Sequence, residues 1–313
     1  MKVLFVRFSS LGDIILTTGI IDLLKKQYPE IEIDFLTYEQ FKDILIFKKR
    51  INNILTIKRK NGLMPYLTFI QENINNYDYI FDLHANLKTF FLKIFTQSTI
   101  SKYKKGSFKR RLFVKFRLFK NQLNKHVVER YFDAVNKVFE LKINSIEDLR
   151  PTLLTGIKKE NYIVIHPFAS KKTKEWPYFS YLIENLSKYH KVVIVGSGHL
   201  EITENSNIIN LTNQTSLQEL TNVIAKAKLL ITTDSGPMHI GIACNTPTLA
   251  IFGSTTKEFG FYPIFENCYI VENNDIKCRP CHVHGLNKCP KKHFDCMKSI
   301  TPEILLEKIK QLT

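Results

Sequence analysis

Apolar residues along this chain fall in short blocks that alternate with segments of helical spacing. Lys2–Phe8 is an apolar run of strand length. From about Ile14 to Gln27, residues Ile14, Leu16, Ile20, Ile21 and Leu24 recur at helical intervals, and Pro29 follows the end. Strands are predicted next at Ile31–Leu36, Ile51–Ile57 and Tyr77–Asp82, with helices at Leu63–Ile74 and Leu87–Phe95. A helix over His126–Phe139 leads into the polar stretch Leu141–Lys159, after which the alternation restarts. Its strands are Tyr162–His166, Lys191–Gly196, Ile208–Asn210, Leu229–Thr232 and Thr248–Phe252. Helices fill Pro177–Tyr189 and Leu217–Ala225, and Pro302–Leu312 closes the chain. Such alternation predicts an α/β protein with parallel, doubly wound sheets and function at the carboxyl ends of strands. Two similar halves predict domains over residues 1–150 and 151–313, facing a central cleft.

The stretch from Leu229 to Gly253 carries the most chemistry. A buried strand runs into the polar turn Asp234-Ser235-Gly236, then a short helix, then a second strand. Pro237 suits the first helical position, and Asp234 or Ser235 can cap the amides ahead of it. Gly236 removes a side chain where a ligand approaches the backbone. With His239 in the first turn, this helix start reads as an anion site. A plain capped crossover would need Asp, Ser and Pro, but not the added Gly and His.

Charge sharpens that reading. The 313 residues carry 45 Lys and Arg against 29 Asp and Glu, a formal net charge of +16. This favours an anionic partner: nucleic acid, a membrane surface or a phosphorylated substrate. Between residues 101 and 120, Lys102, Lys104, Lys105, Lys109, Arg110, Arg111, Lys115, Arg117 and Lys120 occur with no acidic residue among them. Phe108, Leu112, Phe116 and Phe119 recur three or four apart, so a helix here is amphipathic and basic. It reads as a segment lying on an anionic leaflet, as the lining of a cleft for a phosphorylated acceptor, or as a solvated face packed by its Phe residues. No nucleic-acid-binding motif accompanies the charge, so nucleic acid is not expected as a partner.

No apolar run approaches the roughly 20 residues of a membrane-spanning helix. Arg7 interrupts the first apolar run and no small-residue cleavage site follows, unlike a secretory signal. A cytoplasmic protein with reduced thiols is expected. Near the carboxyl end, Cys278, Cys281, Cys289 and Cys296 are separated by two, seven and six residues. That spacing is compatible with a structural zinc, with His282, His284 and His293 as alternative donors. Buried thiols and a redox-dependent pair are the competing readings.

Four stretches, Phe8–Asp13, Asp82–Lys88, His166–Pro177 and Asp234–His239, in this order and at this spacing, resemble glycosyltransferase family 9, the ADP-heptose:lipopolysaccharide heptosyltransferases. The resemblance spans nearly the whole chain. It implies GT-B architecture: two Rossmann-like domains, the donor nucleotide mainly in the C-terminal one and the acceptor mainly in the N-terminal one. It implies inverting transfer of heptose from ADP-heptose to a lipopolysaccharide inner-core acceptor, either lipid A–Kdo or its heptosylated form. No cofactor or essential metal is required, and the setting is the cytoplasmic face of the inner membrane, where an anionic membrane surface is a further partner.

Displacement at an anomeric carbon needs a base for the attacking hydroxyl and positive charge for the departing diphosphate. Asp13 resembles the family's general base, with helix capping as its other reading, and Ser9 and Ser10 are its polar neighbours. Lys174 matches a lysine that contacts donor phosphates, although Lys171 and Lys172 lie close enough to substitute. Asp234, Ser235, Gly236, Pro237 and His239 would serve the same pyrophosphate. Ala169 and Ser170 stand where the family often has two hydroxyl residues. On the acceptor side, His84, Asn86 and Lys88 resemble a stretch facing the cleft, and Lys58, Arg59 and Lys60 fit an acidic acceptor. The helix residues His126–Tyr131 read as structural. Gly196-Ser197-Gly198 is followed by His199 and Leu200, where family members often place a ribose-binding Glu. Another nucleotide sugar, or a non-catalytic basic binder of nucleic acid or membrane, are the alternatives that this departure and the net charge keep open.

Overall fold

In the computed structural model, which describes residues 1–60, 62–203 and 205–312, the apolar runs of the first half pair into an all-parallel sheet. Its strands are β1 (Lys2–Val6), β2 (Glu32–Tyr38), β3 (Asn53–Ile57), β4 (Tyr79–Asp82) and β5 (Thr99–Lys102), in the order β3-β2-β1-β4-β5. Val3–Val6 of β1 stand opposite Ile33–Leu36 of β2 and Tyr79–Asp82 of β4. Val3, Leu4, Phe5 and Val6 are fully buried, because helices cover both faces of a parallel sheet and its central strand reads as an unbroken apolar run.

The helix expected from Ile14 instead begins at Leu11 and divides at Thr17, giving Leu11–Leu16 and Thr18–Gln27. Thr17 and Thr18 donate their hydroxyls to the carbonyls of Ile14 and Ile15 at 2.6 and 2.7 Å, and such back-bonding bends a helix. Asp13 therefore sits inside the first helical turn. Gly19 lies against the turn Ile146–Leu149, where a Cβ would come within 2.2 Å of the Leu149 carbonyl oxygen. Gly19→Ala is expected to cost about 1–3 kcal/mol of stability, since backbone must move to admit the methyl group. An unchanged urea midpoint in that variant would refute this packing.

The second half forms another parallel sheet. Its strands are β6 (Glu160–His166), β7 (Lys191–Ile194), β8 (Ile208–Asn210), β9 (Ala227–Thr233), β10 (Thr248–Phe252) and β11 (Cys268–Glu272), ordered β11-β10-β9-β6-β7-β8. Ile163, Ile165, Leu229, Ile231, Leu249 and Ile251 pack beneath Phe179, Leu182, Leu305 and Ile309 from the flanking helices Phe179–Leu186 and Pro302–Lys310. Trp176 belongs to this core, and its indole donates to the Ile300 carbonyl at 2.7 Å.

By contact density the chain divides into Met1–Lys105 with Val127–Leu153, and Gly106–His126 with Leu154–Thr313. Residues 106–126, expected within the N-terminal domain, thus group with the second unit. Phe113 and Leu123 pack on Phe259, and the Arg117 guanidinium donates to the carbonyls of Cys278 and Pro280 at 3.0 and 2.8 Å. The amphipathic helix in this segment is Ser107–Phe116. Among the described residues, no helix is long and apolar enough to cross a membrane.

Candidate active site

Each sheet has its first strand inside it and its connection reversing beside that strand, between β1 and β4 in one unit and between β6 and β9 in the other. Loops leaving the carboxyl ends at such a reversal part in opposite directions and open a crevice. Ser9, Ser10 and Asp13 follow β1, while His84, Asn86 and Lys88 follow β4. Ala169, Ser170 and Lys174 follow β6, while Asp234–His239 follow β9. The predicted site residues of each half therefore share that half's switch point.

In the first unit the organising group is Arg7, which sequence reasoning treats only as an interruption. Its buried guanidinium lies 2.7 Å from Asp13 Oδ1 and donates to the Ser9 carbonyl at 2.7 Å. It also donates to the Leu83 carbonyl and, at 3.3 Å, to the Tyr103 hydroxyl. Tyr131 donates to Asp13 Oδ1 at 3.3 Å, and the Ser10 hydroxyl donates to Oδ2 at 2.8 Å. Burial by itself would raise the Asp13 pKa, but Arg7 and the Ser10 donors outweigh it and hold the carboxyl below the usual range. Asp13 is thus an anchored carboxylate at neutral pH. Its contact with the Ser10 backbone N–H, at 3.2 Å, also makes it part of the helix cap.

Burial first, then the nearby charges of Arg7 and Lys105, push the His84 imidazole down to about 3. The ring is therefore neutral, and its Nδ1 has no hydrogen-bond partner among the described residues. Asn86 caps the helix Leu87–Phe90 by accepting from the Thr89 amide at 3.0 Å, a local task that occupies its oxygen. The Lys88 ammonium lies over the Tyr38 and Tyr66 rings, 5.6 and 5.7 Å from their centroids.

In the second unit Lys174 and Asp234 form an ion pair of 2.9 Å, their side chains only 13% and 14% exposed. Thr255 donates its hydroxyl to the same Asp234 oxygen at 2.8 Å. Burial would raise the Asp234 pKa, but Lys174, Thr255 and His239 together hold it low. The helix Gly236–Ala243 opens beside this pair, with Ser235 as its cap and Pro237 in its first turn, so a partial positive charge adjoins the ammonium. His166 Nδ1 lies 3.2 Å from the Thr232 hydroxyl and 3.3 Å from that of Ser235. Burial pushes this imidazole down to about 4, leaving it neutral. Gly196 has φ of +113°, and a Cβ there would come within 2.5 Å of the His166 ring. The glycine turn is required by packing on this histidine. Ala169 is half-buried and Ser170 exposed.

The cysteine segment proves to be part of this site by another route. The Thr173 amide donates to the Leu286 carbonyl at 3.0 Å, and the Leu286 amide returns to the Thr173 hydroxyl at 2.7 Å. Gly285, at φ of +78°, would bring a Cβ within 3.0 Å of the Lys174 stem. Arg279 donates to the Thr255 carbonyl at 2.9 Å and to Glu272 at 2.7 Å. Both flanks of the Lys174–Asp234–Thr255 cluster are therefore held by residues 279–286.

The zinc expected at Cys278, Cys281, Cys289 and Cys296 is not shown. Among the described residues, no three His, Cys, Asp or Glu side chains converge to hold a metal ion. Cys278 Sγ lies 3.8 Å from His293 Nε2, while Cys281 turns its thiol to the Cys278 carbonyl at 3.5 Å. Burial, with the neighbouring thiols adding to it, raises the Cys281 pKa to about 11 and that of Cys296 to about 12, so both are neutral thiols. Hydrogen bonds from Arg279 and Leu286 anchor this loop.

Two Rossmann-like parallel units, each gathering polar and ionisable groups at its switch point, define a GT-B glycosyltransferase fold. Residues 70–292 match the family model described as glycosyltransferase family 9 (heptosyltransferase), and the chain belongs to that family. It is 27% identical to lipooligosaccharide heptosyltransferase 2 of Campylobacter jejuni, across 96% of this chain and 95% of that protein. It is 25% identical to lipopolysaccharide heptosyltransferase 1 of Campylobacter coli, across 100% and 99%. Its fold matches the Escherichia coli heptosyltransferase WaaC solved with ADP-2-deoxy-2-fluoro heptose, with a TM-score of 0.72 at 17% identity and 100% of both chains covered.

Proposed function

We propose that this chain transfers heptose from ADP-heptose to a hydroxyl of the lipopolysaccharide inner core, with inversion at the anomeric carbon. The observation that carries the mechanism is the pair of charged clusters at the two switch points: an anchored carboxylate in one unit, and a cation beside a helix N-terminus in the other. Asp13 accepts the proton of the attacking acceptor hydroxyl. That oxygen bonds to the anomeric carbon as the bond from this carbon to the diphosphate breaks, and ADP departs. Lys174 has three N–H donors, of which the Asp234 pair uses one. The others, with His239 and the first-turn amides of the helix Gly236–Ala243, stabilise the charge that develops on the diphosphate.

Arg7 and Tyr131 hold the base in place, and His84 and Lys88 border the acceptor. The acceptor, lipid A–Kdo or its heptosylated form, is an amphiphile. The enzyme therefore works in the cytoplasm as a peripheral protein on the inner face of the inner membrane. No cofactor enters the reaction.

A thermal-shift panel of ADP, UDP, GDP, CMP and NAD at matched concentration tests the donor assignment. A ligand at a hundred times its dissociation constant stabilises the fold by about 2.7 kcal/mol. Selective stabilisation by ADP is expected. A selective response to UDP or GDP would replace the donor, and a response to none would overturn the reading.

A further inference from the structure

The donor and acceptor sites leave most of the basic segment unexplained. In the helix Ser107–Phe116 the side chains divide between two faces. One turns inward: Arg110 and Phe113 are buried, with the Arg110 guanidinium 5.3 Å from the Phe261 ring centroid. At 3.6 residues per turn, Phe108, Arg111, Leu112, Lys115 and Phe116 share the opposite face. Phe108 is 73% exposed and Phe116 55%, and the following turn adds Leu118 at 52% and Phe119 at 38%. Arg117 and Phe119 hold φ of +60° and +64°, a conformation uncommon for bulky residues. So many exposed large apolar side chains in one short stretch mark an interaction surface. Lys120 meets Glu258 at 3.6 Å and Lys109 meets Gln122 at 2.7 Å, while Arg111 and Lys115 form no ion pair among the described residues.

We propose that this face is a docking surface for an anionic lipid bilayer, with the Phe rings entering the acyl boundary and Arg111 and Lys115 meeting headgroup phosphates. Charge complementarity selects the occupant, because the stretch carries only positive charge between 101 and 120. The alternation of cation and aromatic around one helix face is the pattern that holds a helix in the plane of a bilayer. A small phosphorylated ligand would satisfy the cations but leave Phe108 and Phe116 in water. The inference rests on the proposed membrane-borne acceptor for its purpose, while the surface is read from this helix alone.

Co-sedimentation with acceptor-free vesicles, without nucleotide sugar, tests lipid binding separately from transfer. The protein is expected to sediment with phosphatidylcholine vesicles containing phosphatidylglycerol, and weakly with phosphatidylcholine alone. A basic residue near an anionic surface contributes roughly fivefold in partitioning. Arg111→Glu/Lys115→Glu is expected to lose tenfold or more, and Phe108→Ser/Phe116→Ser to lose a similar amount while keeping the melting temperature. The two variants are read in parallel, so that a folding defect in one leaves the other to decide. Wild-type protein remaining in the supernatant with anionic vesicles overturns the proposal, as does sedimentation of both variants at the wild-type level. Binding only to vesicles that contain lipid A–Kdo would assign the face to the acceptor and overturn it too. Vesicle binding without any response to ADP would leave this surface standing while the donor reading fell.

Discussion

Asp13→Asn is expected to keep its response to ADP and lose about 10²- to 10⁴-fold in turnover, the range a positioned base contributes. The amide matches the carboxylate in shape but takes no proton, so the test separates chemistry from fold. Single-turnover transfer near the wild-type rate would remove Asp13 from the role. The pH profile follows from the network around it. The folded pKa of Asp13 is depressed, because Arg7 and Ser10 outweigh the opposing effect of burial. The carboxylate therefore persists as the pH falls past the ordinary aspartate range, so its basicity is lost only as the pH drops through the depressed value, while its contribution to stability fades progressively from the ordinary value down to that one. Arg7→Gln leaves Asp13 buried beside no cation. That variant is expected to lose about 3–5 kcal/mol of stability, and the acid limb of its pH–rate profile to move toward neutral. A merely structural Arg7 would lower stability without moving that limb.

The second large effect concerns Lys174. Lys174→Met removes one partner of a mostly buried ion pair, leaving the Asp234 carboxylate facing only the Thr255 hydroxyl and His239. Stability is expected to fall by about 3–5 kcal/mol. ADP affinity is expected to fall roughly 10- to 100-fold, corresponding to the loss of about 1.5–3 kcal/mol of charge-assisted hydrogen bonding. The double variant Lys174→Met/Asp234→Asn separates the two effects. Without the uncompensated carboxylate it should recover most of the stability and none of the affinity, by urea titration and calorimetry respectively. Recovery of ADP affinity in the double variant would show that Lys174 serves only the ion pair.

The polar clusters at the strand ends are legible because each follows an apolar run, where a Ser, Asp or Lys has no place in a core. Asp13, Lys174 and Asp234–His239 stand out for this reason. Arg7 does not: it occupies a position next to a strand, and its meaning depends on Tyr103 and Tyr131, which are distant along the chain. Nothing local links them. β5 and β11 escape prediction because they bury little: only Ser101 of β5 is buried, and every residue of β11 is half-exposed. Their patterns lack the unbroken apolar run of β1. The basic segment reads as one block of charge, but Arg110 turns inward, the exposed Arg117 reaches back to the Cys278 and Pro280 carbonyls and Arg111 faces outward, a division that depends on where Phe261 and Cys278 lie. The cysteine spacing points to a metal because spacing is all a sequence displays there. The Arg279 and Leu286 hydrogen bonds that shape the loop need partners at Thr255 and Thr173, far from it in the chain.

Those last contacts bear on how the enzyme comes into being on the ribosome. Lys174 is made early in the second unit, but the segment that clasps its loop, residues 279–286, is made more than a hundred residues later. At a synthesis rate of about 5–20 residues per second, the interval is several seconds or more. Throughout it, a nascent chain can complete the sheet around β6 and β9 while Thr173 and Thr255 still lack their late partners. The Asp13 network, by contrast, draws only on Arg7, Ser10, Tyr103 and Tyr131, all made before residue 153. On the proposed roles, the carboxylate of the base is assembled early and the diphosphate-binding cluster last, so an unfinished polypeptide would be poorly equipped to capture and consume the activated sugar.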